Sequence, residues 1–213
     1  MMGGAGNVAM NLLAYGAKVH LVGLVGDDAN GRQLEDICAS HQNLTAHAVR
    51  DAGRVTSVKT RFVAQSQQLL RLDEETPHPI SNDLAREIVD LVAAHLPSCQ
   101  LLVLSDYAKG LLTPQLGRKL VGLAKEAGKP ILVDPKNVDF SVYAGATLVS
   151  PNLKEMEQVT GIHASDDAGA ETVCKTLLDK YDFESVLLTR GAAGMSLMQR
   201  DEHETFHIGS QAK

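Results

Sequence analysis

Two short apolar runs, Ile-Leu-Val at 131–133 and Thr-Leu-Val at 147–149, each end in a polar residue followed by proline: Asp134-Pro135 and Ser150-Pro151. Runs this short are too brief for helices, and their branched residues predict buried strands. Proline has no N–H to give and fixes φ, so each ladder stops there. Asp134, Lys136, Asn152 and Glu155 are thereby expected just past the carboxyl ends of neighbouring strands, the edge at which open parallel sheets take ligands. A single loop of this kind reads equally well as an ordinary polar cap. Several in succession, all with charged tips, point to a site.

The same grammar runs through the second half of the chain. An apolar run at 101–104 leads into Ser105-Asp106-Tyr107-Ala108-Lys109-Gly110, and Thr113 then caps a helix that has Pro114 in its first turn and Gly128 at its close. A short helix at 153–160 ends at Gly161, and Ser165 is the expected cap of another with Val173, Leu177 and Leu178 inward. Strands are expected at 185–189, 195–198 and 205–208. Strand and helix alternating through short loops predict an α/β fold, a doubly wound and mostly parallel sheet covered on both faces. The first half opens with a helix (Val8, Leu12 and Leu13 on one face, Gly16 as its left-handed cap), then a strand at 19–25 and a helix carrying Leu34, Ile37 and Cys38. At 56–72, Val58, Thr60, Phe62 and Ala64 alternate with Lys59, Arg61 and Val63, and Leu69-Leu70-Arg71-Leu72 follows a polar turn. That predicts an antiparallel ribbon, either a lid or edge interface or a plain surface hairpin.

Composition removes several function classes. Aromatic residues make up 4% of the 213, tryptophan is absent and the formal charge is -6, so neither a base-stacking surface nor a basic footprint for nucleic acid is present. No apolar run reaches membrane-spanning length, and the chain reads as cytoplasmic. Cys38, Cys99 and Cys174 lack paired metal spacing and read as small hydrophobes. His203 and His207 sit four apart around an expected strand, which makes a weak metal pair. There is no Gly-x4-Gly-Lys-Ser/Thr loop, no Gly-x-Ser-x-Gly elbow and no His-Glu-x-x-His.

Three motifs carry chemistry. Gly4-x-Gly6-x-x-Ala9, with Asp27 and Asp28 about twenty residues on, fits a dinucleotide fingerprint, although no strand precedes it in the sequence. Thr189-Arg190-Gly191-Ala192-Ala193-Gly194 joins two apolar runs: it is either a hairpin or a loop whose amides approach a phosphate chain, with Arg190 adding charge. Asn152 and Glu155, one helical turn apart at a helix start, form either a plain cap or an outer-shell pair for hydrated Mg²⁺ on a nucleotide.

Taken together, the motifs resemble the ribokinase/phosphofructokinase-B family of sugar kinases. The resemblance is carried by Gly3-Gly4-Ala5-Gly6-Asn7-Val8-Ala9, by Gly26-Asp27-Asp28 with Gly31, by Ser150-Pro151-Asn152-x-x-Glu155 and by Thr189-x-Gly191-x-x-Gly194. Within the family the details are most similar to the heptose-7-phosphate kinases, the kinase half of a bifunctional kinase/adenylyltransferase. The stretches that carry this are Gly-Asn-Val-Ala-Met-Asn (6–11), Gln-Gln-Leu-Leu-Arg-Leu-Asp (67–73), Leu-Ser-Asp-Tyr-Ala-Lys-Gly (104–110), Val-Asp-Pro-Lys (133–136) and 145–155.

The resemblance implies a ribokinase-like fold with a lid ribbon at about 55–73, a partial kinase domain over 1–213, and phosphoryl transfer from ATP with Mg²⁺ to C1 of a heptose 7-phosphate. It implies sugar contacts from Gly4 and Asn7, anion contacts from Arg71, Lys109 and Lys136, and a hydroxyl contact from Asp106. Asn152 and Glu155 would order the metal through water, and Thr189, Gly191 and Gly194 would hold ATP phosphates. A small-molecule sugar phosphate is the expected partner, with a homodimer through the ribbon. The family's leading strand with its sugar-binding Asp, and its later Gly-Ala-Gly-Asp motif with the general base, match nothing here. The base is therefore expected beyond Lys213 and the isolated chain is expected to be inactive. Alternatives are another ribokinase-family sugar kinase and a non-catalytic nucleotide- or dinucleotide-binding module.

Overall fold

A computed structural model describes residues 2–65, 67–202 and 204–210, so the His203 half of the histidine pair lies outside the described residues. The chain forms two compact units. One comprises Met1–Val92 with Lys109–Leu111, the other Ala93–Ala108 with Leu112–Lys213.

The first unit opens with α1 (Ala5–Ala14), β1 (Val19–Val25), α2 (Ala29–Ala39) and β2 (Leu44–Arg50). β1 and β2 pair in parallel, Val19 opposite Leu44 through Val25 opposite Arg50. A parallel pair needs a crossover, and α2 supplies it. Met2, Ala9, Cys38 and Leu44 form the buried centre, flanked by Leu13, Leu21, Leu34 and Ile37. β2 has no counterpart in the sequence reading: Leu44-Thr45-Ala46-His47-Ala48-Val49 alternates too weakly to register as a strand before its partner is known.

The ribbon is β3 (Val58–Ala64) against β4 (Gln67–Glu74), antiparallel, with a register shift between Phe62 and Val63. Thr60 pairs with Leu72 and Phe62 with Leu70, so these four share one face; Arg61 pairs with Arg71 and Lys59 with Asp73 on the other. One face is apolar and exposed, the other ionic. α3 (Asn82–His95) belongs to this unit as far as Val92.

The second unit is a six-stranded sheet in the order β10-β9-β8-β7-β6-β5. Its strands are β5 (Leu102–Ser105), β6 (Ile131–Asp134), β7 (Leu148–Val149), β8 (Ser185–Thr189), β9 (Met195–Gln199) and β10 (Phe206–Ile208). β5 to β8 run parallel; β9 and β10 are antiparallel to their neighbours. α4 (Pro114–Glu126) crosses from β5 to β6, while α5 (Leu153–Thr160) and α6 (Asp167–Tyr181) lie between β7 and β8. The mostly parallel α/β sheet with a separate ribbon is the expected fold class.

Thr113 caps α4 by accepting from the Leu116 N–H, and Gly161 ends α5 at φ 72°, both as the sequence predicts. The cap of α6 is Asp166, not Ser165: its carboxylate accepts from the Gly169 N–H at 2.8 Å. Asp and Ser are both good caps, and the sequence alone did not separate adjacent candidates.

Candidate functional site

In the second unit the candidate residues sit where the strands end. Asp106 follows β5, Asp134 ends β6, Asn152 opens α5 after β7, and Thr189 ends β8. Backbone bonds fasten these ends side by side: Asp106 N–H donates to Asp134 O at 2.9 Å, Ser150 N–H to Val133 O at 2.8 Å and Thr189 N–H to Pro151 O at 2.9 Å. Asn152 also bridges to Thr189 in parallel register. The strand-end gathering read from the two prolines is thus one continuous row.

Asn152 and Glu155 form a full capping box. Glu155 N–H donates to Asn152 Oδ1 at 3.0 Å and Asn152 N–H to Glu155 Oε2 at 2.9 Å. The plain-cap reading is therefore realised. Glu155 also does more than a cap needs: Lys136 Nζ donates to its Oε1 at 2.7 Å. The Glu155 side chain is only 10% exposed. Burial pushes the Asp134 carboxyl above the usual carboxylate range; the Glu155 and Asp106 charges add to this and Lys136 opposes it. The hydrogen bond from Lys136 to Glu155 holds its own ammonium protonated. Asp134 and Glu155 present hard oxygens with a single ammonium between them, a donor set that fits a hydrated Mg²⁺. Each Glu155 oxygen accepts one protein hydrogen bond and keeps a further lone pair.

Asp106 is buried, and both of its oxygens are engaged. Oδ1 accepts from the Ala108 N–H at 2.7 Å, and Oδ2 accepts a very short bond from the Tyr143 hydroxyl. Each oxygen accepts one hydrogen bond from the protein and keeps a further lone pair.

The loop from β8 to β9 is a hairpin connection. Gly191–Ala193 forms a 3-10 turn, with Gly191 and Gly194 at φ 58° and 90°. Arg190 does not add charge to this loop. Its guanidinium is buried, donating to Asp167 Oδ1 at 2.6 Å and to Ser196 Oγ at 2.9 Å. The guanidinium holds the Asp167 carboxyl below its ordinary range. Arginine here ties β8 and β9 to the start of α6.

In the first unit Gly4 is the N-cap of α1 at φ 53°, and Asn7 lies exposed in its first turn. Residues 2–4 form no strand. Arg71 grips Asp73 through Nε at 2.8 Å and Nη2 at 2.9 Å. Lys59 continues the chain of charges, reaching Asp73 at 2.8 Å and Glu75 at 3.4 Å, and Glu75 in turn takes Lys109 Nζ at 2.5 Å. Arg71 and Lys109, both expected as anion contacts, are therefore the two ends of one ionic row of three cations and two carboxylates. Hydrogen bonds from Lys59 and Arg71 lower the Asp73 pKa, and the bond from Lys109 lowers that of Glu75.

Arg54 was not legible as a functional residue. Its buried guanidinium donates to Asp51 Oδ2 at 2.8 Å and to the carbonyls of His78 at 3.0 Å and Lys109 at 3.2 Å. It fixes the backbone from which Lys109 projects. The Gly26-Asp27-Asp28 landmark has a similar structural use: Asp28 caps α2 through the Gly31 N–H at 2.7 Å and accepts from the Thr56 N–H at 2.7 Å. A Cβ on Gly26 would lie 2.6 Å from Arg54 O, so only glycine lets these segments close.

A family model described as pfkB family carbohydrate kinase matches residues 1–212. The chain belongs to this family. It is 40% identical over 213 residues to the bifunctional protein HldE of Paramagnetospirillum magneticum, covering 100% of this chain and 43% of that protein. Against the HldE protein of Caulobacter vibrioides the identity is 44% over 203 residues, 95% of this chain and 41% of that protein. The chain thus spans less than half the length of these relatives.

Among solved structures, phosphofructokinase-2 from Escherichia coli in complex with potassium superposes with a TM-score of 0.79 at 17% identity, over 98% of this chain and 67% of that one. Arabidopsis thaliana ribokinase, complexed with ribose and ATP, gives 0.65 at 17% identity over 89% and 60%. The ribokinase-like fold follows from these likenesses.

Proposed function

We propose that this pfkB-family domain binds Mg²⁺ and ATP and directs the γ-phosphoryl group to C1 of a heptose 7-phosphate, giving a heptose 1,7-bisphosphate for lipopolysaccharide core precursor synthesis in the cytoplasm. The single observation that supports the nucleotide half is the strand-end row of Asp134, Lys136, Asn152, Glu155 and Thr189, where Lys136 and Glu155 are paired at 2.7 Å. Phosphoryl transfer demands positioning and neutralisation of charge, and this row offers hard oxygens, an ammonium and backbone amides. Asn152 and Glu155 are the residues that would order a hydrated Mg²⁺, which neutralises phosphate charge when bound. Thr189, Gly191 and Gly194 would lie along the ATP phosphates.

The heptose assignment rests on the stretches at 67–73, 104–110 and 145–155. The ionic row from Arg71 to Lys109, three cations against two carboxylates, keeps one positive charge in excess and so supports an anionic sugar over a neutral one. In register Arg61 stands directly opposite Arg71, a like-charge pairing that Asp73 partly offsets through its two bonds from Arg71. Gly4 and Asn7 are assigned to the sugar hydroxyls. The general base is assigned to no residue of this chain. A homodimer through the apolar ribbon face completes the reading.

Titration calorimetry of this chain with heptose 7-phosphate, ribose, Mg²⁺-ATP and NAD tests it without requiring turnover. Tighter binding of heptose 7-phosphate than ribose, together with Mg²⁺-dependent ATP binding, is expected. Ribose preferred over the phosphorylated sugar points to a ribokinase-like enzyme. NAD bound in place of ATP points to a dinucleotide module, and either result overturns the proposal.

A further inference from the structure

Tyr143 is wholly buried at the end of the 3-10 turn Phe140–Tyr143, its ring edge-on to Phe140 at 6.0 Å. Phenylalanine would fill this position equally well, so the hydroxyl in the core calls for a separate reason. That hydroxyl donates to Asp106 Oδ2, and Asp106 Oδ1 accepts from the Ala108 N–H at 2.7 Å. Ala108 is held at φ 53°, a left-handed conformation that costs a non-glycine residue about 1 kcal/mol and needs outside support. Burial, then the bond to Asp106, pushes the phenol pKa far up, so it stays a proton donor at any ordinary pH. One hydroxyl therefore ties the turn after β5 to the 3-10 turn Phe140–Tyr143 in the connection that follows β6. With no exposed surface, it cannot itself touch a ligand.

We propose that Tyr143 is a positioning residue: its hydroxyl locks the Asp106 turn to the 3-10 turn Phe140–Tyr143 and so shapes the sugar-phosphate side of the site. The lock itself stands on the geometry alone; the sugar-phosphate side rests on the kinase reading above. Asp106, held by Tyr143 and Ala108, is then the link in this chain of bonds.

The test uses Tyr143→Phe in the full chain, with residue-resolved amide exchange followed by NMR. Loss of the hydroxyl is expected to speed exchange at the Ala108 amide at least tenfold, while α4 and β8 keep their protection. Unchanged Ala108 exchange overturns the lock. Asp106→Asn provides a second variant that can still accept from Ala108 while its amide faces the phenol oxygen; it is expected to retain most of the Ala108 protection, and full loss of protection there also counts against the inference. For function, Tyr143→Phe is expected to weaken heptose 7-phosphate binding at least tenfold with ATP binding altered less than twofold. Equal loss of both affinities, or of neither, overturns the positioning role. Failure of the parent chain to bind either ligand overturns the kinase reading and leaves the exchange result to decide the lock.

Discussion

Lys136 Nζ lies 2.7 Å from Glu155 Oε1, joining the loop after β6 to the first turn of α5. The contact converts a helix cap into a charged element of the strand-end row. Glu155 then has three tasks: it closes the capping box, neutralises Lys136, and raises the Asp134 pKa through its own charge. Lys136→Ala removes a cation that is half exposed and leaves Glu155 only its backbone donor. We expect a stability loss of about 1 kcal/mol and a tenfold or greater loss of ATP affinity. Chemical denaturation and calorimetry check both; unchanged ATP affinity would remove Lys136 from the nucleotide site.

Glu155→Gln separates capping from charge. A glutamine oxygen can still accept from the Asn152 N–H, so the helix start is retained and the cap contributes close to its former value. The amide cannot neutralise Lys136. Thermal unfolding is expected to change little, while the stabilisation that Mg²⁺ adds in the presence of ATP should disappear. Retention of that Mg²⁺ effect in the variant would show that the carboxylate is a cap and nothing more.

Arg54 carries a different kind of prediction, because its guanidinium is buried and serves three acceptors. Arg54→Ala strands the Asp51 carboxylate and two carbonyls; breaking a buried pair in this way costs about 3 kcal/mol. The side-chain hydrogen bond from Arg54 is the largest cause of the lowered Asp51 pKa, with the Gly53 amide and the Arg54 and His78 charges adding to it. A depressed carboxylate stabilises the fold above its unfolded value, near 3.9, and that contribution is lost as pH falls through the folded value. The acid limb of the stability–pH curve should therefore be shallower in Arg54→Ala than in the parent. Parallel acid limbs in urea melts between pH 2 and 5 would argue that Arg54 does not carry the Asp51 charge.

The contrast between Lys136 and Arg54 shows what the sequence made legible. Asp134-Pro135 and Ser150-Pro151 announce strand ends by local rules, since proline stops a ladder wherever the chain goes afterwards. The row of Asp134, Asn152, Glu155 and Thr189 followed from that punctuation and the alternation of elements. Arg54 has no such signature: its acceptors lie 3, 24 and 55 residues away, two of them carbonyls that every residue possesses. β2 stayed hidden because its pairing with β1, not its own alternation, makes it a strand. Tyr143 carries no signal in the sequence, its hydroxyl being meaningful only once Asp106 is brought to it. Arg190 was misplaced for the converse reason. Its position beside the glycines suggested an exposed charge, whereas the antiparallel turn-back of β9 brings Ser196 to its guanidinium.

The ribbon offers a test of association. Phe62, Leu70 and Leu72 are about half exposed and lie on one face by strand register. Contiguous apolar surface of this kind is usually covered by a partner. We expect the chain to sediment as a dimer at micromolar concentration and Leu70→Asp to sediment as a monomer, with the second unit's thermal transition unchanged. A parent chain that remains monomeric across the concentration range would assign the ribbon to a lid without a dimer role.

Asp134 ends β6 as an exposed residue whose carboxyl pKa is raised, and that shift has a definite pH signature. Burial raises its pKa first, then Glu155 and Asp106, against Lys136. The folded state therefore holds this proton more tightly than the unfolded chain does. With more protons bound in the native state, stability falls as pH rises from the unfolded value toward the folded one, and above that the penalty is constant. Asp134→Asn mimics the protonated acid at every pH. It should match the parent at low pH, where both are neutral at this site, and exceed it at pH 7 once the parent has ionised. The same substitution removes one of the two hard anionic oxygen groups of the row, so added Mg²⁺ should stabilise the parent and have little effect on the variant. A carboxylate whose charge is only partly offset by Lys136 and is further offset by a bound cation is what a ligand-holding position requires. If Asp134→Asn proves less stable than the parent at pH 7, the carboxylate is paired within the protein and its placement in a cation site fails.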